Sequence, residues 1–357
     1  MRSQIGSLLR KSSLGRSALE HYYESRWGPF NSSIKKECKK LRALLDTEQA
    51  SIRIVYDNLT CPPAYGEFVQ VVMLARYLKA SGGDVKFIIL DDGERRDDWC
   101  YLDLEEQESF VRDQIEIATR ILSSEIEVLK GIPNSSSYVV FGANVLAGLA
   151  IYVKTPLLLN KLIETSEEPL PADFLLPISW GMELGQDLNL QGVPFVAWGI
   201  RKGVWGLDRD NTQEQVITDF RDLRKLFPGH RILLLSTPNG IEWVLSILHE
   251  SGDLDSSANE AQLLFPQPTP GFINAIPWVL SADEYFQKEG GGMGIVPIFS
   301  EVPYLIVSKY QGIHYQHQFH GEKVVAWASP RQRFVHRPHD AHRVLFSDLY
   351  TQPTEVS

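Results

Sequence analysis

The feature that most restricts what this chain can fold into is an alternation of short apolar runs with longer amphipathic ones, repeated twice. In the first series, 52–56 and 85–90 read as strands. Between them, 68–78 carries Val71, Val72, Leu74, Ala75 and Leu78 at helical spacing. A long helical pattern over 104–129 precedes a third strand at 138–141. The second series opens with a strand at 195–200 and a helix over 212–227 whose start signal is Asn211 or Thr212. A strand at 231–235, a helix over 241–249, a short strand at 263–265 and a helix over 273–280 follow, then strands at 283–288 and 302–307. Strands separated by helices need crossover connections, so both series predict parallel sheets. Functional loops then belong at the carboxyl ends of the strands.

A chain of 357 residues exceeds what one core usually covers, which agrees with two domains. The expected division is a basic helical extension at 1–50, a first domain at 51–190, a second at 191–335 and a tail at 336–357. The tail is placed where it can pack back on the first domain. The acidic, proline-containing stretch 165–173 and the segment up to Gln191 form the expected linker. No run approaches the roughly 18 apolar residues of a membrane span, and the amino terminus lacks a secretory pattern, so a cytoplasmic location is expected. Cys38, Cys61 and Cys100 are odd in number and far apart, fitting neither a disulfide framework nor a metal site.

Charge is unevenly placed. Residues 1–50 hold ten Lys/Arg against five Asp/Glu, a net of +5, which leaves −15 on the remainder of a chain of net −10. An acidic body argues against nucleic acid as a partner. The basic leader is either a solvated helix or a contact for an acidic membrane surface or lipid-linked acceptor, at the inner face of the membrane.

Four motifs can carry chemistry. Glu289-Gly290-Gly291-Gly292-Met293-Gly294 joins a strand to a short helix, where glycine lets the backbone approach a phosphate or diphosphate closely. Cys61-Pro62-Pro63-Ala64-Tyr65-Gly66-Glu67 turns from the first strand into the first long helix. There Glu67 either serves the helix end or acts as a general base toward an acceptor hydroxyl. Trp198-Gly199-Ile200-Arg201-Lys202-Gly203 puts two cations at a strand end, suited to charge on a departing diphosphate or to a solvated turn. Six histidines crowd 314–342 at spacings of three, with a cleft-edge or surface role favoured over zinc. Asp91, Asp92, Glu94, Asp97 and Asp98 read as an acidic loop, so no metal is expected. Trp180, Trp198, Trp205 and Trp243 fit sugar stacking and core packing equally.

The order of a strand, a proline-rich turn, Gly66-Glu67, Leu74-Ala75-Arg76-Tyr77-Leu78-Lys79 and a strand from Asp84 resembles the opening of GT-B glycosyltransferases, most closely their heptosyltransferase-like branch. Glu67 stands where that branch has aspartate. The stretch from Ala282-Asp283 through the glycine run to Val302-Pro303 is similar to the donor-binding half of the same enzymes. Segment 198–203 distantly resembles the phosphate loop of fucosyltransferases without its paired arginines. The resemblance implies an α/β chain of two Rossmann-like parallel-sheet domains facing a cleft. It implies a metal-independent transfer of sugar from a nucleotide-sugar to a carbohydrate or glycolipid acceptor, as in polysaccharide biosynthesis. Glu67 would be the base, and Arg201 and Lys202 would stabilise the leaving group. Glu289, Gly290, Gly291, Gly292, Met293 and Gly294 would hold the donor, and Tyr65 and Gly66 would lie on the acceptor side. A nucleotide-sugar epimerase and a non-catalytic sugar- or nucleotide-binding protein of the same fold are the alternatives.

Overall fold

The computed structural model describes residues 34–47, 51–61, 64–94, 104–132, 137–143, 145–146, 149–150, 154–166, 168–176, 180, 193–202, 210–254, 263–264, 271–288, 292–308, 331–337, 340–341 and 343–350. Strands β1 (Ser51–Asp57), β2 (Asp84–Leu90), β3 (Glu127–Leu129) and β4 (Tyr138–Ala143) form a parallel sheet of order β3-β2-β1-β4. A short antiparallel pair, β5 (Val145–Leu146) and β6 (Leu149–Ala150), follows. The second sheet contains β7 (Phe195–Gly199), β8 (Arg231–Leu235), β9 (Leu263–Leu264), β10 (Glu284–Lys288), β11 (Tyr304–Ser308) and β12 (Gln332–His336). It is parallel throughout, with order β12-β11-β10-β7-β8-β9. Counted within its own unit and read from β9, that is 3-2-1-4-5-6, the Rossmann order. The first sheet repeats the 3-2-1-4 portion. Each sheet has a topological switch point, between β1 and β4 and between β7 and β10.

The helices are α1 (34–45), α2 (Tyr65–Ala80), α3 (Leu104–Leu122), α4 (Lys154–Glu164), α5 (Gln213–Leu226), α6 (Pro238–Glu250), α7 (Phe272–Ser281), α8 (Ile295–Ile298) and α9 (Phe346–Tyr350). Thr212 caps α5 in a reciprocal capping box with Gln215, and Thr237 caps α6 by accepting the Gly240 N–H. Of the two start signals read for α5, Thr212 is the cap. In α1, Ile34, Cys38 and Leu41 are buried in the first unit's core while Lys35, Lys36, Lys39 and Lys40 are exposed. Among the described residues no helix is long and apolar enough to cross a membrane.

Three elements depart from the sequence reading. The helix expected over 104–129 stops at Leu122, because Ser123 adopts a left-handed φ of 49° and the chain then pairs as β3 with β2. Strand β12, Gln-Arg-Phe-Val-His, was not foreseen; among the described residues it pairs only with β11, at the sheet edge, where polar residues are tolerated and blur the strand pattern. The described part of the tail packs on the second unit, not the first. Phe346 lies edge-on to Phe286 at 5.1 Å, and Ser347 donates its N–H and hydroxyl to Asp222 at 2.9 and 2.6 Å.

Helix α2 is the pivot of the architecture. Phe68 through Ala75 are all buried in one unbroken stretch, so it is covered on every side rather than along one stripe. Phe68 packs edge-on against Tyr56 and Phe87 of the sheet at 5.0 and 5.8 Å. Tyr65 and Arg76 reach α3, since the Tyr65 hydroxyl donates to Asp113 and Arg76 donates to the Ile121 carbonyl. Tyr77 donates to the Leu162 carbonyl of α4. The outer side meets the second unit, where the 3-10 turn Gly292–Gly294 and α8 pack against it. Arg76 also donates to the carbonyls of Phe174 and Leu175 at 2.9 and 3.1 Å, while Leu176 N–H bonds the Phe299 carbonyl at 2.7 Å. The linker is thereby strapped between the units, and one apolar core runs from the first sheet through α2 to Tyr285 and Tyr304 of the second.

Gly142 sets how closely α2 lies on the first sheet. It sits at a register shift between β1 and β4, and a Cβ there would lie 2.3 Å from Val71 Cγ1. Gly142→Ala should therefore lower stability by about 1–3 kcal/mol, the usual cost of overpacking. Adding Val71→Ala should recover part of the loss. Thermal and urea unfolding of the three variants check this; an unchanged midpoint for Gly142→Ala would show that α2 is not held against β4.

Candidate functional site

The switch point of the second sheet gathers two of the motifs. Strand β7 ends at Gly199 and runs directly into Ile200, Arg201 and Lys202, while its neighbour β10 ends at Lys288 and leads to the glycine run. Gly292, Met293 and Gly294 form a 3-10 turn followed by the single turn of α8. Glu289, Gly290 and Gly291 lie outside the described residues. One turn of helix is too short to sum to a useful macrodipole, so α8 adds little charge of its own.

Close packing fixes this edge. The Tyr285 hydroxyl donates to Gln287 Oε1 at 2.7 Å, and both side chains face the core shared with the first unit. A Cβ on Gly199 would lie 2.3 Å from the Tyr285 hydroxyl, and one on Gly294 2.6 Å from Gln287 Oε1. Both positions therefore need glycine because a neighbour occupies the space. On the opposite face Lys288, fully buried, is paired with buried Asp219 and stands 5.0 Å from the Phe346 ring. Burial pushes the Asp219 carboxyl up, and the Lys288 ammonium opposes that shift. The last residue before the glycine run is thus anchored from below.

Arg201 and Lys202 are each held by a neighbour. Asn211 Oδ1 accepts the Arg201 backbone N–H at 2.8 Å, and Asn211 N–H returns a bond to the Arg201 carbonyl at 2.9 Å. Arg201 Nε lies 3.8 Å from Asp210 Oδ1, a Coulombic contact longer than a hydrogen bond. Lys202 Nζ stands 4.6 Å from the Trp243 ring, a cation–π contact. Asn211 was read as a helix signal; its structural work is to close this loop.

The third motif approaches from the first unit. Ala64 is the N-cap of α2 and supplies no side-chain cap, so Tyr65, Gly66 and Glu67 are its first three residues. Gly66 is buried and Glu67 is half-buried. The Tyr65 ring stacks flat on Phe272 of the second unit, with centroids 4.5 Å apart and planes 2° apart, and also touches Phe110. Its hydroxyl donates to Asp113 at 2.6 Å, and burial together with that carboxylate holds the phenol well above its ordinary range. Burial raises the Asp113 carboxyl, while the Tyr65 bond lowers it. Tyr65 thus joins the two units.

The loop leading to α2 is shaped by residues the sequence did not single out. Asp57 accepts the Leu59 N–H and the Thr60 hydroxyl, at 3.0 and 2.8 Å. Asn58 and Gln114 exchange amide hydrogen bonds at 2.7 and 3.3 Å. Trp198, fully buried and stacked on Phe220 with centroids 6.2 Å apart, is a core residue. Trp205, His314, His317, His320, His339 and His342 lie outside the described residues, and His336 ends β12. Among the described residues no group of three His, Cys, Asp or Glu side chains is placed to hold a metal ion.

Fold and site together define a class: a tandem of two Rossmann-like α/β units in which a helix of the first packs against the carboxyl edge of the second. Among solved structures the chain is similar to the heptosyltransferase WaaC of E. coli with ADP, at 11% identity, covering 84% of this chain and 97% of that one, with a TM-score of 0.45. It is similar to a glycosyl transferase family 9 protein from Veillonella parvula at 10% identity, covering 72% and 80%, with a TM-score of 0.39. A third similarity is to MurG of Acinetobacter baumannii, at 12% identity over 84% and 91%, with a TM-score of 0.35. No family model and no curated protein matches the chain.

Tyr65 offers a test of how the units are joined. Tyr65→Phe keeps the stack on Phe272 but leaves Asp113 without its 2.6 Å donor. The expected loss is about 1–3 kcal/mol, that of a half-buried acceptor deprived of its partner. Asp113→Leu combined with Tyr65→Phe should be milder than Tyr65→Phe alone. A double-mutant cycle by urea unfolding measures it, and strict additivity would mean that the bond is not a unit of stability.

Proposed function

We propose that this chain is a metal-independent glycosyltransferase of GT-B type that moves a sugar from a nucleotide-sugar to a carbohydrate or lipid-linked acceptor. One observation carries the reading. The switch point of a Rossmann-ordered sheet bears Arg201 and Lys202 at one strand end and the Gly292–Gly294 turn near the next, and that turn abuts the helix whose first turn holds Glu67. In open α/β sheets ligands bind at such a point.

The chemistry follows from the groups present. Glu67 takes the proton of an acceptor hydroxyl as its oxygen attacks the anomeric carbon of the donor sugar. The bond from that carbon to the nucleoside diphosphate breaks, and its electron pair leaves with the phosphate. Arg201 and Lys202 offset the charge that develops there, and the glycine run lets the backbone approach the phosphates. Tyr285 and Gln287 hold the turn in place, so little reorganisation is needed when the charge appears.

The experiment is a panel of UDP-, GDP-, ADP- and CMP-linked sugars, screened by thermal shift and then by donor turnover. Glu67→Gln should lower turnover about 10²–10⁴-fold while donor affinity stays within about threefold. Arg201→Ala should lower turnover about 10²–10³-fold. EDTA should leave wild-type turnover unchanged. Full turnover by Glu67→Gln would remove the base assignment, and absence of stabilisation by every nucleotide would remove the enzyme reading.

The exposed Lys35, Lys36, Lys39 and Lys40 of α1 support peripheral contact of the first unit with an anionic membrane carrying a lipid-linked acceptor. Co-sedimentation with phosphatidylglycerol vesicles should fall with added salt and on replacing these lysines by glutamine. Equal binding to neutral phosphatidylcholine vesicles would contradict it.

A further inference from the structure

Gln70 is fully buried, yet neither Nε2 nor Oε1 has a hydrogen-bond partner among the described residues. Other buried amides of this chain do have partners. Asn58 and Gln114 bond each other, Gln287 accepts from Tyr285, and Gln332 donates to the carbonyls of Ser300 and Val302 at 2.8 Å each. Leaving both ends of an amide unmet in the interior is costly, and native structures rarely do so without a reason.

Its position on α2 suggests the reason. Two residues beyond Phe68, it lies roughly 160° round the helix from the side chain that covers the sheet. Arg76 and Tyr65 turn to α3, on another side, whereas Gln70 shares its face with Gly66, Leu74 and, two turns on, Tyr77. The Tyr77 ring meets Phe174, itself packed on Phe299 just beyond α8. This face is the one turned toward the second unit, where the Gly292–Gly294 turn and α8 pack against the helix. Glu67 stands one helical turn before it, with Cβ atoms about 5–6 Å apart.

We propose that Gln70 reads the transferred sugar. This rests on the donor reading above and adds a residue that selects the sugar. An amide offers a donor and an acceptor side by side. Phosphate oxygens only accept and can satisfy one end. A pair of neighbouring sugar hydroxyls, which both donate and accept, satisfies both. A diphosphate held by the glycine turn places its sugar next to that turn, beside Gln70 and within reach of Glu67. Gln70 is accordingly a specificity residue, and the bare nucleotide does not need it.

The test compares full-length wild type with Gln70→Met, which keeps an unbranched side chain of similar volume. Calorimetric titration would use ADP, UDP, GDP and CMP, and then ADP-glucose, UDP-glucose, GDP-mannose and CMP-N-acetylneuraminate. The expected result is that Gln70→Met binds the bare nucleotide within about twofold of wild type and loses about tenfold or more of the additional affinity conferred by the sugar. Its ligand-free melting temperature should be no lower than that of wild type, because unmet polar atoms have been removed. A variant that melts several degrees lower with sugar discrimination intact overturns the proposal and makes the amide structural. Equal weakening of bare and sugar-linked nucleotides also overturns it. Wild type that binds nucleotides without preferring any sugar-linked form overturns the role of Gln70 alone. Wild type that binds none of the eight probes overturns the donor reading and this inference together.

Discussion

Most of this structure depends on one helix being buried on every side. Helix α2 packs Phe68 and Val71 onto the first sheet, holds α3 through Tyr65 and Arg76, and turns its outer face to the second unit. At about 1.5 Å per residue its 16 residues span roughly 24 Å, enough for one element to serve all these contacts. Because its core is continuous with that of the second sheet, movement of α2 would disturb both units. The joint is reinforced by polar contacts, the strap of 174–176 held by Arg76 and bonded to Phe299. Burial lowers the affinity of the Arg76 guanidinium for its proton, and the charge of Asp173 opposes that shift.

The second sheet is built to hold a glycine turn rather than merely to contain one. Residues of β10 alternate in purpose. Glu284, Phe286 and Lys288 lie on the face packed by α5 and α9, where Tyr350 donates to Glu284 and Lys288 meets Asp219, while Arg331, just before β12, meets Glu284 at 2.5 Å. Tyr285 and Gln287 face the first unit and limit Gly199 and Gly294 to hydrogen side chains. A strand with ionic anchors on one face and a close-packed hydrogen bond on the other is a rigid support for a loop. Buried ion pairs contribute little net stability on balance, but removing one partner leaves an unpaired interior charge. The edge is therefore held in a single arrangement.

Legibility in the sequence followed the strength of each local signal. Strands of the parallel sheets were evident because runs such as Ile52-Arg53-Ile54-Val55-Tyr56 and Arg231-Ile232-Leu233-Leu234-Leu235 are more apolar than their flanks. The edge strand β12 was not, since pairing on one side imposes no apolar face. Ser123 carries no glycine-like signal for its left-handed backbone, so the end of α3 was overrun. Of the site, Arg201, Lys202 and the glycine run could be assigned to strand ends from their order. Gln70 and Asn211 could not be recognised, because an amide in a helix or before one looks ordinary until its burial and partners are known. Trp198 looked as much like a sugar platform as a core residue, and its stacking on Phe220 within the second core decides between them.

The sequence by itself determined the two α/β series, their parallel character and the strand ends on which the charged and glycine motifs sit. These follow from periodicity and chain order, which are local properties. Only the tertiary structure decided that the glycine turn abuts α2, that Tyr65 joins the units through Phe272, that the described part of the tail packs on the second unit and that Gln70 is enclosed without a partner among the described residues. Each of these depends on which surfaces meet across more than a hundred residues of chain, and the spacing of side chains along one helix does not encode that meeting. The glycine run is the clearest case. Its composition permits a close approach, and the neighbour that requires glycine at 294, Gln287, is supplied by the fold.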